Sequence, residues 1–548
     1  MTGNPFHYSN IGFFSLSGVC DEERLAVAGK RLRDWRVNAI MPRPAKPLRY
    51  LDGTDAERLR CFNELLANPN VEMMVALRGG FGVTRILDSM DWEAMRRRNL
   101  PIVGYSDVSA LHLAALRHGC CNHIHGPMLL SQFGKRPTSQ ADERNINDTL
   151  ASFQACIEGN PCPILPDAQL RVIQEGHVAA APIVPCNFSM LISLLGTPHL
   201  PQLKNTILAV EDISEDAYRI DRMLAQLKSA GILKALKGLV FGDFTDCENQ
   251  QYLPEIFAEY ARYVNGPVIS GLPFGHGRRT MSIRVGAFVE LTAGKDGVVL
   301  KEAALNAFEP KMFCAAGGSQ PVSGWSSMGY RLLSPRNCLP GRKYPLILFL
   351  HGAGERGEDN TAQLVHVLPD FAKLAEAGRL NAFIAAPQCP LLKQWVDTPW
   401  SLKDHTMPEN MSRPLSMAMA LLDELLATLP IDRERVCIMG ISMGGYGTWD
   451  AIQRFPERFA CAVPICGGGD VAQAYRLTKL PIWAFHGELD NLVPLCRTTD
   501  MVDALRKAGG TPKMTIYPDT YHDSWVKVPS EPGFLEWLQT HLNPQVPK

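Results

Sequence analysis

The chain reads as two α/β domains in tandem. Short apolar strands alternate with amphipathic helices twice over. A small, polar, aperiodic stretch separates the two series, and 548 residues exceed what one hydrophobic core covers. In the first series, Ile11-Gly-Phe-Phe-Ser-Leu-Ser-Gly is a strand ending in small polar residues, with a helix following from about Asp21 to Arg36. Further strands fall at residues 71–77, 101–105, 206–210, 238–241 and 268–270. Ala315-Ala-Gly-Gly-Ser-Gln-Pro-Val-Ser-Gly then has the composition of a linker. A fresh series starts beyond it, with strands at 330–333, 346–350, 383–386, 436–439, 482–486 and 513–517 and a helix over 416–428. The expected organisation is one unit over 1–306, a linker over 307–324 and a second unit over 325–548.

Composition narrows the function classes. A formal net charge of −1 supplies no global field for nucleic acid or an anionic membrane. No run approaches the roughly 20 apolar residues of a membrane-spanning helix, and Met-Thr-Gly-Asn-Pro-Phe-His is unlike a signal peptide. Fifteen cysteines at irregular spacing, with no C-x-x-C pair, read as reduced thiols, so a cytoplasmic location is expected. There is no His-Glu-x-x-His, and His123 and His125 read as a structural strand pair, so no metal and no cofactor is expected. The sequence leaves the oligomeric state open, a homodimer included.

The second unit carries the sharper motif. Gly440-Ile-Ser442-Met443-Gly444 follows the apolar run Val436-Cys-Ile-Met and precedes a helical pattern. Gly-x-Ser-x-Gly between strand and helix is a nucleophile elbow, in which the serine hydroxyl is lifted to the positive end of the next helix. A serine needs a base and an orienting acid, which this fold supplies in the order Ser, acid, His. Asp490 lies just past the strand Ile482-Trp-Ala-Phe-His, and His522 lies in a loop after the last strand. Glu488, Asp519 and Asp523 are rival acids, less well placed. Upstream, His351-Gly-Ala353-Gly ends a strand, so backbone N–H groups of Ala353 and Met443 are the expected oxyanion donors.

In the first unit, Arg78-Gly-Gly-Phe-Gly follows a strand, and Gly104-Tyr-Ser106-Asp107 lies at a strand-to-helix turn. Ser106 is therefore either an exposed nucleophile or part of a helix cap with Asp107. The glycine loop is either a simple turn or a place where backbone N–H groups approach a ligand closely. By themselves, Glu211 reads as a strand-end carboxylate and His276, between two glycines, as a loop residue.

The second unit resembles the esterase, polyhydroxybutyrate-depolymerase-like and dienelactone-hydrolase-like group of α/β-hydrolases, chiefly through Pro345-Leu-Ile-Leu-Phe-Leu-His-Gly-Ala-Gly-Glu-Arg-Gly-Glu-Asp-Asn. That resemblance implies a doubly wound fold and ester hydrolysis through an acyl-enzyme. The first unit resembles the LD-carboxypeptidases, which include murein tetrapeptide carboxypeptidase and the microcin-immunity peptidases. Six blocks in order carry this likeness, among them Tyr50-Leu-Asp-Gly-Thr-Asp, Arg78-Gly-Gly-Phe-Gly, Gly104-Tyr-Ser-Asp, His125-Gly-Pro-Met and Gly271-Leu-Pro-Phe-Gly-His276-Gly. The likeness implies a two-part region with a Ser106–Glu211–His276 triad that releases a terminal D-amino acid, D-alanine, from a muropeptide. Backbone N–H groups near Gly80 and Asp107 are the expected oxyanion hole. Phe81 stands where the family usually has Tyr, and Pro185-Cys-Asn-Phe where Gly-Gly-Asn-Leu is commoner. The implied partners are a small peptide and an ester. The alternatives are a peptidyl-nucleotide amide as the peptidase substrate, or one unit serving as a binding module.

Overall fold

A computed structural model describes residues 4–542 apart from 161, 166, 315–326, 337 and 340. The chain divides into two compact units, 1–303 and 304–548. In the first, a six-stranded sheet runs in the order Ile283–Arg284, His123–His125, Ile102–Gly104, Met73–Ala76, Asn10–Phe14, Asn38–Ile40, parallel except for its first strand. A seven-stranded sheet is built on Gly176–Asn187, Ile207–Ile213, Gly238–Thr245 and Val268–Ser270, parallel to one another. Antiparallel strands Phe288–Gly294, Gly297–Glu302 and Arg171–Gln174 extend it at its two edges.

The helix Val108–Arg117 starts beyond the strand Ile102–Gly104 and buries eight of its ten residues. Its Ser109 hydroxyl accepts a hydrogen bond from the Asn187 N–H at 3.0 Å, which ties it to the second sheet. Helix ends are set by ordinary chemistry. Thr54 and Glu57 form a reciprocal capping box on Asp55–Ala67, and Asp21 caps Glu22–Asp34.

In the second unit one eight-stranded sheet runs Phe308–Cys314, Ser327–Leu333, Phe383–Pro387, Tyr344–Leu350, Ile431–Ile441, Cys461–Ile465, Trp483–Gly487, Lys513–Tyr517. Ser327–Leu333 is antiparallel to both of its neighbours, and the strands from Phe383–Pro387 onward pair in parallel. Tyr344–Leu350 is buried at every residue, as a strand covered by helices on both faces must be. The chain passes from this central strand to neighbours on either side, and the crevice at that switch point is where α/β sheets place their sites.

The structure corrects the expected linker over 307–324 at its start. Phe308–Cys314 is an edge strand paired residue by residue with Ser327–Leu333, and the first unit ends at Ala303. The small polar residues that follow dominated the compositional signal, although Phe308, Pro310 and Met312 alternate with Glu309 and Lys311, and Phe308 and Phe313 bury their rings. The remaining linker positions, 315–324, lie outside the described residues. Several further strands lay outside the sequence reading of the sheets: Cys461–Ile465 in the second unit, and in the first the long strand Gly176–Asn187 together with Asn38–Ile40, Arg171–Gln174, Ile283–Arg284, Phe288–Gly294 and Gly297–Glu302. No helix among the described residues is long and apolar enough to cross a membrane.

Close backbone approach makes glycine obligatory at the second-unit elbow. A Cβ on Gly444 would stand 1.9 Å from the Leu350 carbonyl oxygen, whereas one on Gly354 would meet nothing within 4 Å. Gly444→Ala is therefore expected to destabilise the second unit by about 1–3 kcal/mol, and Gly354→Ala to stay within about 0.5 kcal/mol of wild type. Calorimetric melting of the full chain reads both, with the transition of the first unit unmoved.

Candidate active site

At each candidate site a serine holds a backbone conformation that L-residues rarely adopt. Ser106 has φ +63° and Ser442 φ +51°, each between a parallel strand and the helix that follows it. Non-glycine residues in this region carry strain of order 1–3 kcal/mol, which the surrounding packing must hold in place. The result is a hydroxyl raised clear of the sheet at a helix N-terminus.

In the second unit the expected residues converge. His522 Nε2 lies 2.8 Å from Ser442 Oγ, and His522 Nδ1 lies 2.7 Å from Asp490 Oδ2. Asp490, and none of Glu488, Asp519 or Asp523, is thus the carboxylate on the imidazole. Burial acts to raise the Asp490 pKa, but hydrogen bonds from His486, His522 and the Val493 and Leu492 N–H groups outweigh it and hold the carboxyl well below its usual range. Asp490 Oδ1 accepts from both N–H groups at 2.9 Å. His486, fully buried and 3.2 Å from Asp490 Oδ2, is a member of this network that the sequence reading passed over. Its place at the end of an apolar strand, four residues before Asp490, was the available signal.

The loop expected to carry an oxyanion donor is anchored through its histidine. The Cys389 N–H donates to His351 Nε2 at 2.8 Å, and Trp395 Nε1–H donates to the His351 carbonyl at 3.0 Å. Burial lowers the His351 pKa to about 4, so the ring stays neutral and can keep accepting that bond. A Cβ on Gly352 would lie 3.6 Å from the Ser442 Cβ, so this loop runs beside the nucleophile. Ala353 opens a short 3-10 turn, its carbonyl accepting from Arg356 Nε at 2.8 Å. Met443 opens the helix after Ser442. Cys466, Asp490 and His522 each bring one ligand-type atom within 4.8 Å of the others, a spacing that a metal site would share. The Cys466 thiol, however, is pushed up to about 12 by burial, and His522 Nε2 is taken by Ser442.

In the first unit, His276 Nδ1 lies 2.7 Å from Glu211 Oε2, and a Cβ on Gly275 would strike that carboxylate. The His276 ring packs edge-on against Tyr105, the residue before Ser106, at 4.9 Å between centroids. The structure joins Glu211 to His276 and sets the His276 ring against the residue that precedes Ser106. It does not join Ser106 to His276 by a hydrogen bond, so the first unit forms the acid–histidine pair without the serine–histidine bond that the second unit has. Burial raises the Glu211 pKa despite its bond to His276. Burial acts to lower His276, but the Glu211 hydrogen bond and charge, with Asp212 and Asp243, outweigh it and leave the imidazole above its ordinary value.

Asp107 does not cap its helix. Its buried carboxylate accepts from Ser17 Oγ at 2.6 Å and the Val83 N–H at 3.0 Å, clamping the loop after the first strand to the glycine loop. The glycine touching the nucleophile is Gly79, where a Cβ would stand 2.8 Å from Ser106 Oγ and 3.6 Å from the Asp107 nitrogen. Gly80, with φ +130°, faces Gly18 instead. Asn187, in the departing Pro185-Cys-Asn-Phe block, donates from Nδ2 to Asp212 at 3.0 Å and pairs in register with Glu211.

The two units match different known families. Residues 11–126 match the LD-carboxypeptidase N-terminal domain, 180–291 the LD-carboxypeptidase C-terminal domain, and 340–542 a family described as phospholipase/carboxylesterase. A putative carboxypeptidase of Streptomyces coelicolor is 32% identical over 54% of this chain and 94% of its own length. Murein tetrapeptide carboxypeptidase of Pseudomonas aeruginosa is 32% identical over 42% of this chain and 75% of its own. A solved thermostable esterase is 33% identical, covering 47% of this chain and 73% of its own with a TM-score of 0.39.

The His276 environment sets a pH signature. If His276 acts as the base, kcat/KM at the first-unit site needs the neutral imidazole. Its acid limb is expected above the ordinary imidazole value of 6.5. Glu211→Gln should move that limb down and lower kcat by about 10²–10⁴. Raised folded-state pKa values mean that the native state binds the proton more tightly, so the stability this pair contributes is full below about pH 6.5 and is lost as pH rises through the folded value. Denaturant unfolding should accordingly show Glu211→Gln costing more at pH 6 than at pH 9.

Proposed function

The chain belongs to the LD-carboxypeptidase family, and on that premise we propose that it is a two-site serine hydrolase. Its first unit removes a C-terminal D-amino acid from a murein-type peptide, and its second cleaves a carboxylic ester. The observation that carries the reading is common to both units: a serine held with left-handed backbone at a strand-to-helix turn, beside a histidine whose Nδ1 is bonded to a buried carboxylate. The names of the relatives above favour a murein peptide as the substrate of the first unit.

In the first unit Ser106 Oγ attacks the scissile carbonyl carbon while His276 Nε2 takes its proton. The carbonyl oxygen gains the negative charge, and N–H groups of the Gly79–Gly80 loop and Asp107 are the donors best placed to meet it. As the C–N bond breaks, His276 returns the proton to the leaving amine, and D-alanine departs with an acyl-Ser106 left behind. Water, deprotonated by the same imidazole, then releases the shortened peptide. Glu211 fixes the tautomer and stabilises the imidazolium.

In the second unit Ser442, His522 and Asp490 play the corresponding parts, with an alcohol as the leaving group. The His522–Ser442 bond is already made in the resting protein, and Asp490 stays ionised far into the acid range. An ester has a better leaving group than an amide and asks less of the acid step.

Mass spectrometry of a muropeptide tetrapeptide treated with wild type, Ser106→Ala and Ser442→Ala tests the assignment. D-Alanine release should vanish only in Ser106→Ala, and cleavage of a short-chain p-nitrophenyl ester should fall by about 10³-fold or more only in Ser442→Ala. Loss of both activities in either variant would overturn the assignment of independent sites. Fluorophosphonate labelling should count two modified serines per chain, and a single label would leave one unit as a binding module.

A further inference from the structure

Beside His276 the first unit holds a polar cavity of about 250 Å³. Tyr105 and His276 form one wall, and Arg24, Lys135, Arg278 and Asp142 bring the charge. Three cations face one carboxylate. Lys135 and Arg278 both act electrostatically on Asp142, which is also held by the Thr138 hydroxyl and N–H. Arg24 pairs loosely with Asp21 at 3.8 Å, with both side chains about half exposed. The neighbouring Arg279 is taken by Asp148 at 3.2 Å, which leaves Arg278 as the guanidinium of this pair that lines the cavity. The cavity therefore has an excess of positive charge, a volume suited to a single small residue, and the candidate general acid in its wall.

The geometry points to this cavity as the subsite for the leaving D-amino acid, with Lys135 and Arg278 receiving its free carboxylate. This inference rests on the carboxypeptidase reading of Ser106 and His276. The chemistry fixes the side. The imidazole that protonates the leaving nitrogen must lie on the side of the scissile bond where the departing residue sits. In a substrate cut at its last peptide bond, that residue carries a carboxylate one carbon from the nitrogen. The cavity next to His276 must then accept a small anionic group, and cations on its rim meet that need. Guanidinium and ammonium groups form charge-assisted bonds to carboxylate. Such a subsite makes the enzyme an exopeptidase: an internal peptide bond would bring further chain, and no carboxylate, into a cavity too small for it.

The test compares two substrates in two proteins. Full-length wild type and the Lys135→Gln/Arg278→Gln double variant are each given an LD-tetrapeptide with a free C-terminus and the same peptide as its C-terminal amide. Wild type is expected to favour the free acid. In the double variant KM for the free acid should rise by about tenfold with kcat nearly kept, while kcat/KM for the amide stays within about twofold, so that the preference collapses. Raising salt from about 0.05 to about 0.5 M should raise KM for the free acid in wild type more than in the variant. Equal loss on both substrates, or unchanged preference, overturns the subsite while leaving the carboxypeptidase reading intact. Absence of release from the free acid by wild type overturns that reading first, and the subsite with it. A circular dichroism melt within about 2 °C of wild type shows that the exposed substitutions leave the fold in place, and Arg136→Gln, outside the cavity lining, is the control for lost surface charge.

Discussion

Both sites depend on a serine confined to a backbone conformation that costs energy and that only a crowded strand-to-helix turn can enforce. The confinement is made by neighbours without side chains. Gly444 lies against the Leu350 carbonyl and Gly440 against the Gly444 carbonyl in one unit, and Gly79 lies against the hydroxyl of Ser106 in the other. Remove the close approach and the serine relaxes, and in the second unit the Ser442 hydroxyl leaves the reach of His522. The remaining architecture serves this constraint: buried parallel strands set the height of each turn, and buried helices, Val108–Arg117 and Met443–Arg454, fix the direction of each helix dipole.

The two units solve the orienting-acid problem with different electrostatics. Asp490 is buried among donors, two backbone N–H groups and two histidines, and its charge is compensated at every turn. Glu211 is buried among acids, with Asp212 and Asp243 nearby, and its carboxyl is pushed up while His276 is pushed up with it. Asp243 rises to about 7 in the same setting, by burial first and the Glu211 charge next. A proton in this cluster is held tightly, which suits an imidazole that must become cationic and then protonate a poor amine leaving group. The alcohol of an ester needs less of that help.

Where the residues alone left two readings, the structure shows which contacts are made. Asp107 followed by a helix has the pattern of a cap, yet its carboxylate turns inward to bridge Ser17 and Val83 and so fixes the glycine loop beside Ser106. The strand Phe308–Cys314 lay hidden beneath linker composition, because an edge strand beside a polar stretch has only a short period-two pattern to announce it. His486 went without a role, and the 79–80 glycine pair was singled out without separating its two members, for a related reason. Their roles are fixed by neighbours in other segments of the chain, and the strand-end place of His486 four residues before Asp490 is only a weak local signal.

The sequence by itself determined the two α/β series, the two strand-to-helix serines, and the order in which acid and histidine follow Ser442. These are local properties: hydrophobic period, glycine placement and helix entry are written within a dozen residues. Tertiary structure alone decided which carboxylate meets which imidazole, that the glycine against Ser106 is number 79, and that Lys135 and Arg278 share a cavity with His276. Those facts depend on separate chain segments being brought within bonding reach, 32 positions apart for Asp490 and His522 and 65 for Glu211 and His276. Only the packing of one strand's loop over another's fixes such distances, because no local interaction encodes them.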